Sequence, residues 1–366
     1  MLTMHPTLLT GPADWQPDRM PRQEFLRRID ALWGCDPEAE QAIVYGTSHR
    51  HAELAYVTNI TPKLEAVAAL LSRSGEQRLF VGGGVNMLAA AQPLTWITKL
   101  SPLRDLIDAL RPSGSLRRSL IVGADAMPLA FRRNLMEATG GGDAVQDATD
   151  HVRMLMRRKS SREVAAIREA VAAMRHAGTG MLEAFKAGAG VSEVISAGEL
   201  AANAAGAQDV RTLFSLDGGR TFEPFVAPIP HRVDPLMTYL AVRRFNYWAE
   251  SFPFLTAQAQ TSAPFEKARE ALGSAVAAVR AGTPASEIET LIISSLQPYR
   301  LHPLTAHAFA RRIGLALEEP PATNPAAAFE EGEVYSLRIG ATDADRQHVI
   351  CSKMILVRKS GNEFLL

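Results

Sequence analysis

Few side chains in this sequence are spaced for familiar chemistry. Cys35 and Cys351 are too few for a disulfide framework and lack the paired spacing of a zinc site, which fits a reducing compartment. Gly82, Gly83 and Gly84 are not followed by Lys-Ser/Thr and form no G-x-G-x-x-G pattern, so they read as a strand-to-helix turn, not a phosphate loop. No G-x-S-x-G elbow supports Ser-His-Asp hydrolysis. What remains is histidine beside arginine. His231, in Pro-Ile-Pro-His-Arg, carries a group that titrates near neutrality and suits general acid or base work, although a lone histidine is more often a satisfied or surface residue. His49, Arg50 and His51 read as a solvated polar cluster before a strand, and Asp217-Gly218-Gly219-Arg220 reads as a turn.

The elements that must position these groups fall into two styles. Phe25, Leu26, Ile29, Leu32 and Trp33 recur at helical spacing, so an amphipathic helix opens the chain. Short β-rich runs follow at 42–46, 54–58, 78–82 and 119–123. Between them, Pro62 and the pair Ser101-Pro102 mark expected helix starts. This is an α/β pattern. Residues 145–190 read as helix broken near the middle, with Ser160 and Glu163 spaced as a capping box. That break sets the expected boundary, giving domains over 1–155 and 156–366. Two more helices are expected at VSEVISAGELAANAAGA and after Ser286, and the runs MTYLAVRR, NYWAESF, VYSLRIGA and KMILVRK read as strands. The second domain is therefore expected to be antiparallel sheet plus helices.

Bulk properties agree with a folded protein of 366 residues, long enough for two cores. Lysine plus arginine equals aspartate plus glutamate at 39 each, so no global field recruits nucleic acid or an anionic membrane. The start of the sequence lacks a basic segment followed by an apolar core, and no run approaches the length of a membrane span. A cytoplasmic location is expected.

Four partial motifs in order, together covering nearly the whole chain, resemble the creatinase and Xaa-Pro aminopeptidase family. The run MRRKSSREVAAIREA is similar to that family's interdomain linker and first helix. RTFEPFVAPIPHR resembles its strand and loop ending in Pro-His, RRIGLALEEPP its G-H-G-I-G-L-x-x-H-E-P-P, and FEEGEVYSLRIGA its L-x-P-G-M-V-F-T-I-E-P-G. ELAYVTNITPK and GADAMPLAFRRNL are similar to the creatinase amino-terminal domain. The resemblance implies a creatinase-type α/β amino-terminal domain and an α+β pita-bread domain with a curved antiparallel sheet lining the cleft. It also implies a homodimer, in which His49, Arg50 and His51 would be contacts in the partner's cleft.

Peptidases of that family bind two metal ions through two Asp, one His and two Glu. Aligned on the motifs, those positions fall here on Tyr239, Glu250, Arg311, Arg338 and Ser352. Four of the five expected ligands are thus replaced, and a guanidinium carries no lone pair for a metal. Decay after loss of selection is one explanation. The other is exchange, with Arg311 and Arg338 holding an anion as arginine forks do. His231 and His307 match family histidines that handle substrate, while a third such position is Glu318. Creatinase lacks the metals and cleaves a C–N bond of a small guanidino acid with a histidine that matches His231.

The resemblance therefore implies a metal-independent enzyme with no cofactor, acting on a C–N or related bond of a small substrate bearing a carboxylate or other anionic group. In it His231, His307 and Glu250 would be catalytic. Arg311, Arg338, Tyr239, Ser352, Glu318 and Arg220 would bind substrate. A lyase, cyclase or dehydratase of secondary metabolism on the same scaffold, and a non-catalytic binding protein, stay open as alternatives.

Overall fold

The computed structural model describes residues 14–111, 118–225, 227–258, 261–306, 309–319, 328–343 and 348–366. Contacts divide the chain into one unit up to Met156 and another that begins at Arg157 and includes the C-terminus.

In the first unit, strand β1 (Gln41–Gly46) is buried along its whole length. It can be so because it is central: the six-stranded mixed sheet runs β4-β3-β2-β1-β5-β6. The other strands are β2 (Val67–Ser72), β3 (Gln77–Val81), β4 (Lys99–Pro102), β5 (Ser119–Val122) and β6 (Val145–Asp147). The expected opening helix is α1 (Arg22–Leu32), which buries Phe25, Ile29 and Leu32. Three local expectations are corrected. Residues 54–58 are not a strand but lie in helix α2 (Ala52–Thr58), every residue of which is buried, so no polar face exists to reveal a helical period. The Leu- and Ala-rich run after Pro62 is not a helix but leads into β2, held by β1 and β3 on either side; sheet pairing overrides its helix propensity. Ser101 and Pro102 end β4, and the helix expected to start there is only α4 (Leu106–Leu110). The glycine run does turn β3 into α3 (Val85–Ala91), with Gly83 at φ +85°. His51 is buried, its Nδ1 3.2 Å from the Ser48 carbonyl oxygen, so the cluster at 49–51 precedes a helix and is only partly solvated. Helices α5 (Leu129–Ala138) and α6 (Thr149–Arg157) complete this part of the chain.

The second unit begins with the capping box as expected. The Ser160 hydroxyl accepts from Glu163 N and the Glu163 carboxylate from Ser160 N, starting the 26-residue helix α7 (Ser161–Lys186). After α8 (Val191–Ala204), strands β7 (Asp209–Ser215), β8 (Leu236–Arg244), β9 (Tyr247–Ser251) and β10 (Phe254–Leu255) form an antiparallel sheet with β8 at its centre. Helices α9 (Ala263–Ala278) and α10 (Ala285–Leu296) precede a second antiparallel sheet. It contains β11 (Arg300–Leu301), β12 (Ala310–Arg312), β13 (Val334–Thr342), β14 (His348–Arg358) and β15 (Gly361–Phe364). Leu272 and Ile288 from the helices meet Leu337, Ile339, Val349 and Ile355 from the sheet in one apolar core. No helix among the described residues is long and apolar enough to cross a membrane.

Two polar devices fix this unit. Lys159 Nζ donates to both oxygens of Glu319 at 2.8 and 2.6 Å, with both side chains buried. Gly314 makes room for them, since a Cβ there would lie 2.1 Å from Glu319 Oε1. Removing one partner of a buried pair strands the other charge, so Lys159→Met should cost about 3–5 kcal/mol in urea unfolding. The second device is His302, whose Nδ1 accepts from Leu304 N at 3.1 Å and whose Nε2 donates to the Gly219 carbonyl at 2.9 Å. Burial holds its pKa below the ordinary histidine value, with the nearby His348 acting in the same direction. A depressed folded-state pKa means that the unfolded chain binds more protons, so stability is lost as pH falls through and below about 6.5. Urea midpoints measured from pH 7.5 to 5 should decline, and His302→Gln should flatten that decline.

Candidate active site

The site is built around one carboxylate. Glu250 lies on β9, opposite Ala241 of β8, and its side chain is 0% exposed. The Tyr239 hydroxyl, from β8, donates to Glu250 Oε2 at 2.9 Å. Arg311 Nη1 approaches the same oxygen at 3.5 Å, and Arg338 Nε lies 3.7 Å from the other. The Glu250 backbone N–H points at Met354 Sδ, 3.4 Å away on β14, so the two antiparallel sheets meet at this residue. Among the described residues no group of three or more His, Cys, Asp or Glu side chains gathers as metal ligands do.

Strand register explains the convergence. Arg311 on β12 pairs with Ser336 on β13, and Arg338 on β13 pairs with Ser352 on β14. Ser336 and Arg338, two residues apart, share a face, so all four side chains project on one side of three neighbouring strands. The adjacent Arg312 takes the other side. Its Nη1 lies 3.7 Å from Glu333 Oε1, a carboxylate that also accepts from Arg157 Nε at 2.7 Å and from the Tyr335 hydroxyl at 2.9 Å. The double arginine thus serves two buried glutamates, one on each face.

Electrostatics keep the groups in defined states. Burial raises the Tyr239 pKa and the Glu250 charge raises it further, so the phenol remains a donor. Burial lowers the Arg338 pKa against the opposing pull of Glu250, yet a guanidinium stays protonated at any ordinary pH. Arg311 also pairs outward with Glu318 at 3.0 Å, a side chain that is 62% exposed. Inside that rim stand two positive charges against one negative.

Sequence reasoning placed Tyr239, Glu250, Arg311, Arg338, Ser352 and Glu318 in a site, and these are joined by contacts or register. Arg220 is instead exposed and paired with Asp217 at 3.2 Å. His231 is exposed, and its imidazole has no hydrogen-bond or ion-pair partner among the described residues, although its backbone carbonyl accepts from Val191 N at 3.1 Å. His307 lies outside the described residues. Ser336 was missed, although its spacing from Arg338 on a strand was a usable signal. Phe252, two residues after Glu250, was missed likewise; its ring centroid lies 5.0 Å from that of Tyr239.

No family model matches the chain, and no curated protein matches it. Solved structures do share its fold. The X-Pro aminopeptidase of Thermotoga maritima superposes with a TM-score of 0.76 at 15% identity, over 93% of this chain and 96% of that one. A zinc-substituted E. coli aminopeptidase P in complex with product gives 0.76 at 15% identity, over 96% and 95%. The Pyrococcus horikoshii prolidase gives 0.73 at 16% identity, over 93% and 97%. The architecture is therefore the pita-bread fold of Xaa-Pro aminopeptidases and prolidases, with its α/β first domain, as expected from the sequence motifs.

The Glu250 arrangement predicts an ordered mutational series. Glu250→Gln leaves two guanidiniums without their shared counter-charge and should cost about 3–5 kcal/mol. Tyr239→Phe removes one hydrogen bond to a buried charge and should cost about 1.5–3 kcal/mol. Urea denaturation of both variants checks the order.

Proposed function

We propose that this chain is a metal-independent, creatinase-like enzyme that acts on a C–N or related bond of a small carboxylate-bearing substrate. The observation that carries the reading is the pairing of Arg311 and Arg338 around Glu250. A dinuclear centre needs several anionic or lone-pair donors converging on the ions, whereas this set offers one carboxylate, a phenol, a hydroxyl and two permanent cations. The residues do not fit two divalent metals. They fit an anion, because guanidiniums bind carboxylate with charge-assisted hydrogen bonds and stabilise a developing oxyanion in a water-poor site. The solved relatives include aminopeptidases and prolidases, which supports a hydrolytic scaffold.

In this reading Arg311 and Arg338 hold the substrate carboxylate, with Ser352 as a hydrogen-bond partner and Glu318 at the rim. Glu250 orients the guanidiniums and receives a cationic or N–H group of the substrate, while Tyr239 keeps Glu250 fixed. His231 and His307 move the proton between water and the leaving nitrogen. The protein acts as a homodimer in the cytoplasm. A screen of small acids containing C–N bonds, run with a chelator present, tests the proposal. Binding shows as a rise in melting temperature. Turnover should survive the chelator, and Arg338→Met should remove the thermal shift. His231→Asn should retain the shift but lower turnover by about 100-fold or more. Xaa-Pro hydrolysis that depends on added Mn(II) would refute the proposal, and ligand binding without turnover across the screen would point to a non-catalytic binding protein.

A further inference from the structure

The side chains around the two arginines specify the ligand more closely than charge alone. Ser336 is fully buried, and neither its hydroxyl nor the buried hydroxyl of Ser352 has a hydrogen-bond partner among the described residues. Arg311 Nε is buried and without a partner in the same sense. The cross-strand pairs Arg311–Ser336 and Arg338–Ser352 put these three donors on one face of the sheet. A buried donor without an acceptor is costly, and these three outnumber the buried Glu250 Oε1, which also lacks a hydrogen-bond partner among the described residues, so they mark a place where a further acceptor belongs. Two guanidiniums flank the single buried Glu250 carboxylate, with Glu318 on Arg311 at the exposed rim, so an anion of low charge suits the site better than a multiply charged one. A carboxylate brings one negative charge and about four lone-pair sites on two oxygens. A phosphate group brings about 1.5 to 2 negative charges, more for the Glu250 carboxylate to repel.

The next wall is aromatic. The ring of Tyr239 lies against Phe252, and Phe252 meets Phe222 edge-on at a centroid distance of 5.7 Å and 86°. Phe252 and Phe222 are both half-buried, so part of each ring is open. Such a wall favours a flat apolar body through offset or edge-on ring contacts.

We infer that the site takes a monocarboxylate with an aromatic body, its carboxylate bound by Arg311, Arg338, Ser336 and Ser352 and its ring packed on Phe252 and Phe222. The inference rests on the reading of the arginine pair as an anion receptor, and it adds Ser336 and the two phenylalanines as specificity-determining residues.

Calorimetric titration of the full-length protein with phenylacetate, acetate, phenylacetamide and inorganic phosphate, at matched ionic strength, tests it. Phenylacetate should bind about 5- to 10-fold more tightly than acetate, the gain expected of an added ring contact. The neutral amide and phosphate should bind more weakly than phenylacetate. Ser336→Ala and Ser352→Ala should each weaken phenylacetate by roughly 10-fold, as for one hydrogen bond to a charged group. Phe252→Leu should narrow the gap between phenylacetate and acetate. The ranking of ligands by the unmodified protein needs no variant to fold. Equal binding of acetate and phenylacetate would overturn the aromatic body, and tighter binding of phosphate would overturn the monocarboxylate. Loss of binding in Arg338→Met with none in Ser336→Ala would overturn the role of Ser336 while leaving the anion receptor standing. Failure of every anion to bind would overturn both.

Discussion

Burying a carboxylate away from water is costly unless its surroundings supply charge and hydrogen bonds. Glu250 has the Tyr239 hydroxyl and Arg311 at one oxygen and Arg338 at 3.7 Å from the other. The dependence is mutual. Burial between β12 and β14 lowers the Arg338 pKa, and the Glu250 charge opposes that shift. The architecture of the second unit follows from keeping these groups in register: β8 supplies the phenol, β9 the carboxylate, and β12 and β13 one arginine each. A slip of one residue in any of these strands would turn its contribution to the opposite face.

A second ionic layer lies behind the first. Arg312 turns away from the site toward Glu333, where Arg157 and Tyr335 also converge, and Lys159 locks Glu319 beneath Gly314. Arg157 ends α6, Lys159 follows it, and Ser160 caps α7 directly afterwards. These pairs define where β12 sits, and therefore where Arg311 points. Buried ion pairs add little net stability over well-packed apolar groups, but the loss of either partner is expensive.

Much of this was legible in the sequence because partial motifs preserve spacing even where the chemistry has changed. The motifs Ile313-Gly314-Leu315 and Val334-Tyr335-Ser336 drew attention to Arg311 and Arg338, which lie on the paired strands β12 and β13, and the Ser160–Glu163 capping box placed the start of α7. Local propensity failed in the first unit. Helix α2 opens with helix formers, but it is buried on every side and ends in Tyr56-Val57-Thr58, so its period is hidden, while β2 is rich in helix formers and flanked by two strands. In β2, sheet pairing outweighed a preference worth under about 1 kcal/mol per residue. Ser336 and Phe252 escaped notice because their significance comes from strand alternation beside a charged residue, and nothing in their own chemistry announces it.

On the proposed reading, the paired cations Arg311 and Arg338 hold a substrate anion and leave no place for two metal ions. Equilibrium dialysis against Mn(II), Co(II) and Zn(II), followed by elemental analysis of the protein, tests it most directly. The account predicts far less than one ion bound per chain for each metal. Two ions per chain, lost in Glu250→Gln, would contradict it.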